Sequence, residues 1–336
     1  MKKFIKDSFY FALPIIFIFF LVILIYFICD PFKVIKKYDV YYEPSSHGCI
    51  EVNKGYLSFM NFNSHMKTFE YNSYIFGSSR SMFYQVEDWE KYLADNDSCY
   101  HFDASSENLL GMYEKVKYVH NSGVDLKNVL FVIDYSIFEE RMETTHLNII
   151  PPQLVRNSNF LQFHLSFIDV FLNLKFLIAY FDYSITGNVK PYMNGVLDTK
   201  PFYYDYITNE VKFLYYEDLI KKEEYYTPER MKSFFKRSEE VNIKASLIDS
   251  EEESMLSEIH EIFVNCNTDY KIIISPLYAQ VSMSENDLLI LYSIFGADNV
   301  FNYSGKNEIT ENYINYYENS HYRPHVASWI LDDIYK

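Results

Sequence analysis

Phe9 to Cys29 is a run of 21 residues without a charged side chain. Wound as a helix, such a run matches the roughly 30 Å hydrocarbon core of a bilayer. It therefore predicts a membrane span at residues 9–29, and everything after it must fold around that fact. Pro14 does not argue against this, because membrane helices tolerate proline. A cleaved signal peptide has a shorter apolar stretch and a small-residue cleavage site. Here the stretch is long and ends in bulky residues, and Ile28 stands where a lipoprotein signal needs a small residue before Cys29. An uncleaved signal anchor is the expected form. Lys2, Lys3 and Lys6 precede the span, and Lys33, Lys36 and Lys37 follow it, so the flanking charge is nearly balanced. The short tail, residues 1–8, favours a cytoplasmic N-terminus, with the remainder in the periplasm or outside the cell.

The chain has 336 residues, 49% hydrophobic and 23% charged, enough apolar content to build a packed core. Beyond the anchor roughly 300 residues remain, which suits one large domain or one domain with an insertion. The formal charge of −16 disfavours a nucleic-acid partner, since phosphate backbones are polyanions. The 33 Tyr and 29 Phe against 9 Gly read as a compositional habit, with an aromatic sugar-binding surface as the other reading. Cys29 ends the anchor, and Cys49, Cys99 and Cys266 are scattered without a C-x-x-C pair, which gives little support to a zinc or thioredoxin-like site. An oxidising compartment would permit one disulfide among those three and leave one thiol over.

Residues 30–72 read as a lead-in with short strands at Val40–Tyr42 and Tyr56–Asn61, separated by a turn at Pro44, Ser45, Ser46 and Gly48. From residue 73 to 336 the pattern becomes strand, turn, helix. Ser73–Phe76 is a short apolar strand stopping at Gly77. Met82, Val86, Trp89 and Leu93 predict a helix after it. Ser98–Phe102 is a second strand, followed by a helix with Leu109, Met112, Val116 and Val119 on one face and Gly123 past its end. Asn128–Ile133 is apolar on both faces, as in a covered parallel strand. The alternation breaks from residue 138 to about 225, predicting an insertion. Within it Asn159–Tyr183 is apolar but carries His164, Asp169 and Lys175, which fits a helical segment that is buried or lies on the membrane. Helical stretches near 228–265, a strand at Tyr270–Ser275, a helix near 284–295 and a strand at Asn299–Asn302 complete an α/β fold with a largely parallel sheet.

Sheets of this class gather ligands at the carboxyl ends of their strands. Three loops fall there. Gly77-Ser78-Ser79-Arg80 places Ser79 at the start of the next helix, where its hydroxyl is exposed and its N–H can face an oxyanion, though N-capping uses the same residue type. Glu318-Asn319-Ser320-His321 sets a carboxylate three residues before a histidine, able to hold its Nδ1–H while the other nitrogen takes a serine proton. Two solvated polar residues would look the same. Phe102-Asp103-Ala104-Ser105-Ser106 carries small residues that let backbone approach a ligand or cap a helix. Arg80 suits either an anionic substrate group or a structural ion pair. His325 lies four residues after His321, but no third metal ligand is evident, and His146, with Arg141 and Arg156 nearby in sequence, fits a cleft wall or the surface.

A serine after the first strand and an acid-x-x-His before the last helix resemble the SGNH hydrolase superfamily. The G-S-S variant and the anchor are most similar to its membrane-anchored envelope proteins, those of cell-wall D-alanylation and alginate acetylation. The resemblance covers roughly residues 70–135 and 268–336. It implies a three-layer, flavodoxin-like parallel sheet with a helical insertion and a serine esterase or O-acyltransferase activity. Ser79 would be the nucleophile, His321 the base and Glu318 its orienting acid. Ser105 would lend an oxyanion N–H, with Arg80 and Asp134 at the substrate. Glu318 replaces the usual aspartate, the second block lacks its glycine, and Asp134-Tyr135-Ser136 stands where the asparagine block would lie. The implied substrate is an envelope polysaccharide and an acetyl or similarly small acyl group, with no metal or nucleotide cofactor. A multi-spanning membrane O-acyltransferase would be the partner, docking on residues 159–183. The alternative is a catalytically inactive glycan-binding or scaffold module of the same fold.

Overall fold

The computed structural model describes residues 2–42, 50–102, 104–139, 144–155, 159–197, 203–237, 242–243 and 245–336. The expected turn at Pro44–Gly48, Cys49, Asp103, Arg141 and Arg156 lie outside the described residues. In chain order the elements are α1 (Lys2–Cys29), α2 (Lys54–Phe69), β1 (Ser73–Gly77), α3 (Val86–Trp89), β2 (Cys99–Phe102), α4 (Leu109–Asn121) and β3 (Asn128–Ile133). Next come α5 (Phe160–Leu172), α6 (Leu174–Thr186), β4 (Tyr203–Tyr204), β5 (Val211–Lys212), α7 (Leu214–Lys221), α8 (Pro228–Met231) and β6 (Asn242–Ile243). The chain closes with α9 (Ser250–Cys266), β7 (Asp269–Ile274), β8 (Val281–Ser282), α10 (Glu285–Phe295), β9 (Val300–Asn302), α11 (Glu308–Glu311) and α12 (Pro324–Ile334).

Five strands form one parallel sheet in the order β2-β1-β3-β7-β9. Chain order reverses at β1, so β1 and β3 flank a topological switch point, where open α/β sheets bind ligands. Side chains alternate between faces as the pleat requires. Tyr74, Phe76, Val129, Phe131, Ile133, Ile272 and Ile274 pack on one face against α4, α9 and α10. Ile75, Leu130, Val132 and Ile273 pack on the other against α3 and α12. The uniformly apolar sequence of β3 is explained by this double cover.

The lead-in differs from its sequence reading. Val40–Tyr42 is irregular, and Tyr56–Asn61 lies in helix α2 rather than in a strand. Asn53 caps that helix, its side chain accepting from Tyr56 N at 2.8 Å. Gly55 to Phe62 are all buried, so no polar face marked the helical period. Phe62 reaches the core of the sheet, which makes α2 structurally continuous with the domain. The helix expected from Met82 to Leu93 is also broken, into short turns on either side of α3, because Tyr84 and Gln85 take extended backbone. The Gln85 amide donates to Met82 O and to Val211 O of the insertion, a tertiary demand that overrides the local period.

Helix α1 contains a 20-residue segment, Tyr10–Cys29, of mean hydropathy 3.1 and only 6% buried. It is long and apolar enough to cross a membrane. Its last turn enters a third cluster, in which Tyr26, Phe32 and Tyr41 meet Tyr56 and Phe59 of α2 and Phe167 and Phe171 of α5. Asp30 ends the helix by accepting from the backbone N–H groups of Val34, Ile35 and Lys36. Cys29, Cys99 and Cys266 are free thiols.

Candidate active site

Strand β1 stops at Gly77, and the reason is space. A Cβ there would lie 2.6 Å from Ser81 Cβ and 2.8 Å from Val132 O, so the chain can turn under itself only at glycine. Ser78, Ser79 and Arg80 form that turn, closed by Ser81 N donating to Ser78 O at 2.9 Å. The helix expected to open at Ser79 does not form. A single 3₁₀ turn, Ser81–Phe83, follows, so Ser79 is presented by a tight turn and not by a helix terminus.

The acid-x-x-histidine segment is held just as tightly. Tyr316 and Tyr322 pair across its base, and Tyr317 N donates to His321 O at 2.9 Å. Both paired tyrosines are fully buried. Tyr316 OH donates to Pro276 O at 3.2 Å, and Tyr322 OH lies 3.4 Å from Ser275 Oγ, which ties the loop to the carboxyl end of β7. Within the loop Ser320 N donates to Glu318 Oε2 at 2.7 Å, leaving Oε1 to bond His321 Nδ1.

These two loops meet. Ser79 Oγ lies 2.9 Å from His321 Nε2. A carboxylate only accepts, so its bond fixes the histidine proton on Nδ1 and leaves the Nε2 lone pair facing the serine hydroxyl. The result is a serine–histidine–glutamate relay in which each group is oriented by the next. The Ser79 and Ser105 backbone N–H groups make no hydrogen bond among the described residues, and both residues line the same cavity.

Of the two readings of Arg80 the structure shows the ion pair, and it sets Asp134, expected at the substrate, against that arginine. Arg80 Nη1 pairs with Asp134 Oδ2 at 2.7 Å and donates to Ser136 Oγ at 2.9 Å, while Nε donates to Ser320 O at 3.2 Å. Asp134 is buried and also caps the turn after β3 through Ser136 N. Neither residue lines the cavity above Ser79. Burial works to lower the Arg80 pKa, but Asp134 outweighs it and the guanidinium is held charged. Arg80 is therefore a brace joining the serine turn, the histidine loop and the end of β3.

The cavity has a volume of about 340 Å³. Ser79, Ser105, Glu318 and His321 lie on it together with Phe83, Phe213, Tyr216, Tyr225 and Tyr317. The Arg230 guanidinium, also on the wall, stacks 4.1 Å from the Tyr225 ring centre and 4.9 Å from that of Tyr216. Behind the wall, Glu217 accepts from Tyr317 OH at 2.7 Å and from Arg323 Nη2 at 2.6 Å. Burial raises the Glu217 pKa, but these two partners outweigh it and hold the carboxylate below its usual range. The sequence reading missed this wall because most of it belongs to the insertion, where crowded tyrosines carry no usable period.

His325 makes its side-chain bond away from His321. Its Nε2 bonds Asn315 Oδ1 at 3.0 Å, and no group of three or more metal-binding side chains occurs among the described residues. His146 is half-buried between Phe32 and Phe167 and lines a second cavity, not the one above Ser79. Burial lowers its pKa. No family model, no curated protein and no solved structure matches this chain.

Proposed function

We propose that this chain transfers or hydrolyses an acyl group through Ser79. The observation that carries the proposal is the hydrogen-bonded relay Ser79–His321–Glu318 on the wall of a cavity. His321 takes the hydroxyl proton as Ser79 attacks the acyl carbonyl, Glu318 stabilises the imidazolium, and the Ser79 and Ser105 N–H groups receive the oxyanion. The proton then passes to the leaving oxygen. An acceptor hydroxyl, or water, then attacks the acyl-enzyme carbonyl, giving its proton to His321, which returns it to Ser79 Oγ as the Ser79–acyl bond breaks and the new ester, or the acid, leaves. The volume falls in the range of small-molecule sites, roughly 300–1,000 Å³.

Aromatic faces and a guanidinium fit a sugar ring with a polar substituent, which supports an envelope polysaccharide as acceptor or donor and an acetyl-sized acyl group. The strand order and the two loop motifs resemble the SGNH fold. That likeness extends the proposal to an exported domain served by a multi-spanning membrane acyltransferase. A second reading, a glycan-binding module without catalysis, draws on the five aromatic rings of the wall and on the missing asparagine donor.

The test is on the full-length chain in nanodiscs. A serine-directed phosphonate probe and a chromogenic acetyl ester should both report on Ser79, and both signals should vanish in Ser79→Ala and His321→Ala. Retention of glycan binding without labelling, in folded protein, would replace catalysis by the binding reading. Because a transferase can require its membrane partner, loss of polysaccharide acylation in cells carrying Ser79→Ala is the complementary measurement.

A further inference from the structure

Helices α5 and α6 meet at Asn173 with a bend of 75°. Each has two apolar faces. One packs inward: Phe163, Phe167, Phe171, Phe176 and Ala179 are buried. The other faces solvent. On α5 it is formed by Leu161 and Leu165, continued by the half-buried Ile168 and Leu172; on α6 by Leu174, Ile178 and Ile185, with Phe181 between. Both sets recur at spacings of four, three and four, which is one continuous helical stripe apiece. Leu161 is 65% exposed, Leu174 71% and Ile185 82%. An exposed apolar surface of this extent calls for a cover.

The position of the helices says what covers it. The inner face of α5 meets the last turn of α1, with Phe171 and Tyr26 ring centres 5.2 Å apart. Tyr180 of α6 reaches Cys29, the final residue of the same helix. Both helices therefore sit against the end of the membrane-crossing segment. Lys36, just beyond that end, donates to Ile28 O at 2.5 Å and marks the level at which polar chain resumes.

We propose that α5 and α6 form an interfacial membrane anchor, laying their exposed stripes into the bilayer that α1 spans. The bend lets two short helices share one plane of the interface instead of crossing it, and Asn173 at the break keeps its capping bonds to Lys175 and Phe176. Docking at three helices instead of one fixes the orientation of the domain over the membrane. Glu51 lines both the cavity above Ser79 and the one at the α5–α6 bend, so the site is held beside the membrane surface. This inference does not depend on the acyl-transfer proposal.

The experiment places a tryptophan on each stripe, Leu165→Trp and Ile178→Trp, in full-length protein carrying Trp329→Phe and reconstituted at one chain per nanodisc, with the emission of the remaining buried Trp89, measured in the protein without an added tryptophan, subtracted. Phe20→Trp in α1 reports that the span is inserted. Leu289→Trp, at an exposed apolar residue on α10, supplies the aqueous control. Brominated phosphatidylcholine should reduce emission from Leu165→Trp and Ile178→Trp about twofold, as for a face buried ~5–10 Å below the headgroups, with acrylamide quenching suppressed. Quenching by acrylamide as strong as at Leu289→Trp would place the stripes in water and overturn the proposal. Protection from both quenchers would mean that protein and not lipid covers the stripes, and would overturn it equally.

Discussion

Ser79 Oγ lies 2.9 Å from His321 Nε2, and Ser81 Oγ lies 3.0 Å from His101 Nε2. The two serines are neighbours on one turn, and the contacts are nearly equal in length. Their surroundings are not. Ser81 and His101 are fully buried, while Ser79 and His321 line a cavity. Ser81 also bonds Ser78 O at 2.9 Å. A carbonyl only accepts, so the Ser81 proton is committed to it, and His101 must donate its own Nε2 proton to the serine. That histidine cannot act as a base toward Ser81. At Ser79 the direction is reversed, because Glu318 claims the other side of the ring. Contact length therefore does not identify a nucleophile. Proton direction, access and an orienting acid do.

Substitution at the two serines gives the largest expected contrast. Ser79→Ala or His321→Ala should lower turnover of a chromogenic acetyl ester by about 10⁴–10⁶-fold, because members of such a relay act as a unit. Ser81→Ala should leave turnover within a few-fold and instead lower the melting temperature by roughly 2–12 °C, the cost of about 1–3 kcal/mol for a stranded buried partner. Steady-state kinetics beside thermal melts separate the two outcomes. Equal loss of activity at both serines would erase the distinction drawn here.

The acid is the next point of difference. Glu318→Gln keeps the shape but can offer its amide to Nδ1, favouring the wrong tautomer, and should cost about 10³–10⁴-fold in kcat. Glu318→Asp keeps the charge at shorter reach and should recover most of that loss. If Glu318→Gln were nearly silent, Ser79–His321 would be no more activated than Ser81–His101.

Arg80 sharpens the comparison at smaller scale, since it fixes where the two active loops meet without touching the cavity. Arg80→Ala should lower kcat about 10–100-fold with KM little changed, the penalty of a misplacement near 1 Å. Arg80→Lys can keep a charge beside Asp134 but not the fork to Ser136 and Ser320, so partial rescue is expected. A change in KM alone would instead make Arg80 a substrate contact.

Much of this was legible from sequence where local and tertiary demands agree. β3 was read at its observed bounds because a doubly covered strand is apolar at every position. Helix α4 showed its face through Leu109, Met112, Val116 and Val119, and its end through Gly123, whose φ of 71° suits a residue without a side chain. Ser79 was readable because it sits on the short loop after β1, and Glu318 and His321 because an acid three residues before a histidine stands just ahead of the last helix. Tyr56–Asn61 of helix α2 was misread as a strand because burial on all sides there removes the polar face that betrays a helix. Arg80 was left open between substrate and ion pair, and Asp134 was placed at the substrate, because sequence shows charge and cannot show that two charges spend it on each other. The aromatic wall was invisible for a different reason: Phe213, Tyr216 and Tyr225 reach the site only through the path of the insertion.

A third histidine gives the smallest and most selective test. His325 is half-buried on α12, its ring centre 4.7 Å from that of Trp329, with Nε2 bonded to Asn315. Burial, and then the charge of Arg323, push its pKa down to about 4, against a weaker upward pull from Glu217. In the unfolded chain the same group titrates near 6.5. Between those values the unfolded state binds a proton that the folded state does not, so stability falls as pH drops from about 6.5 toward 4 and levels off below. Solvent screening at a half-exposed ring keeps the effect modest. His325→Gln removes the titrating group and should flatten the acid limb of the melting-temperature profile, by a few degrees at pH 4.5. Carboxylates such as Glu217 also lose stabilisation in this range, so the informative quantity is the difference between the two profiles rather than either slope. Parallel profiles would mean that His325 titrates alike in both states, and that its burial beside Arg323 costs the charged ring nothing.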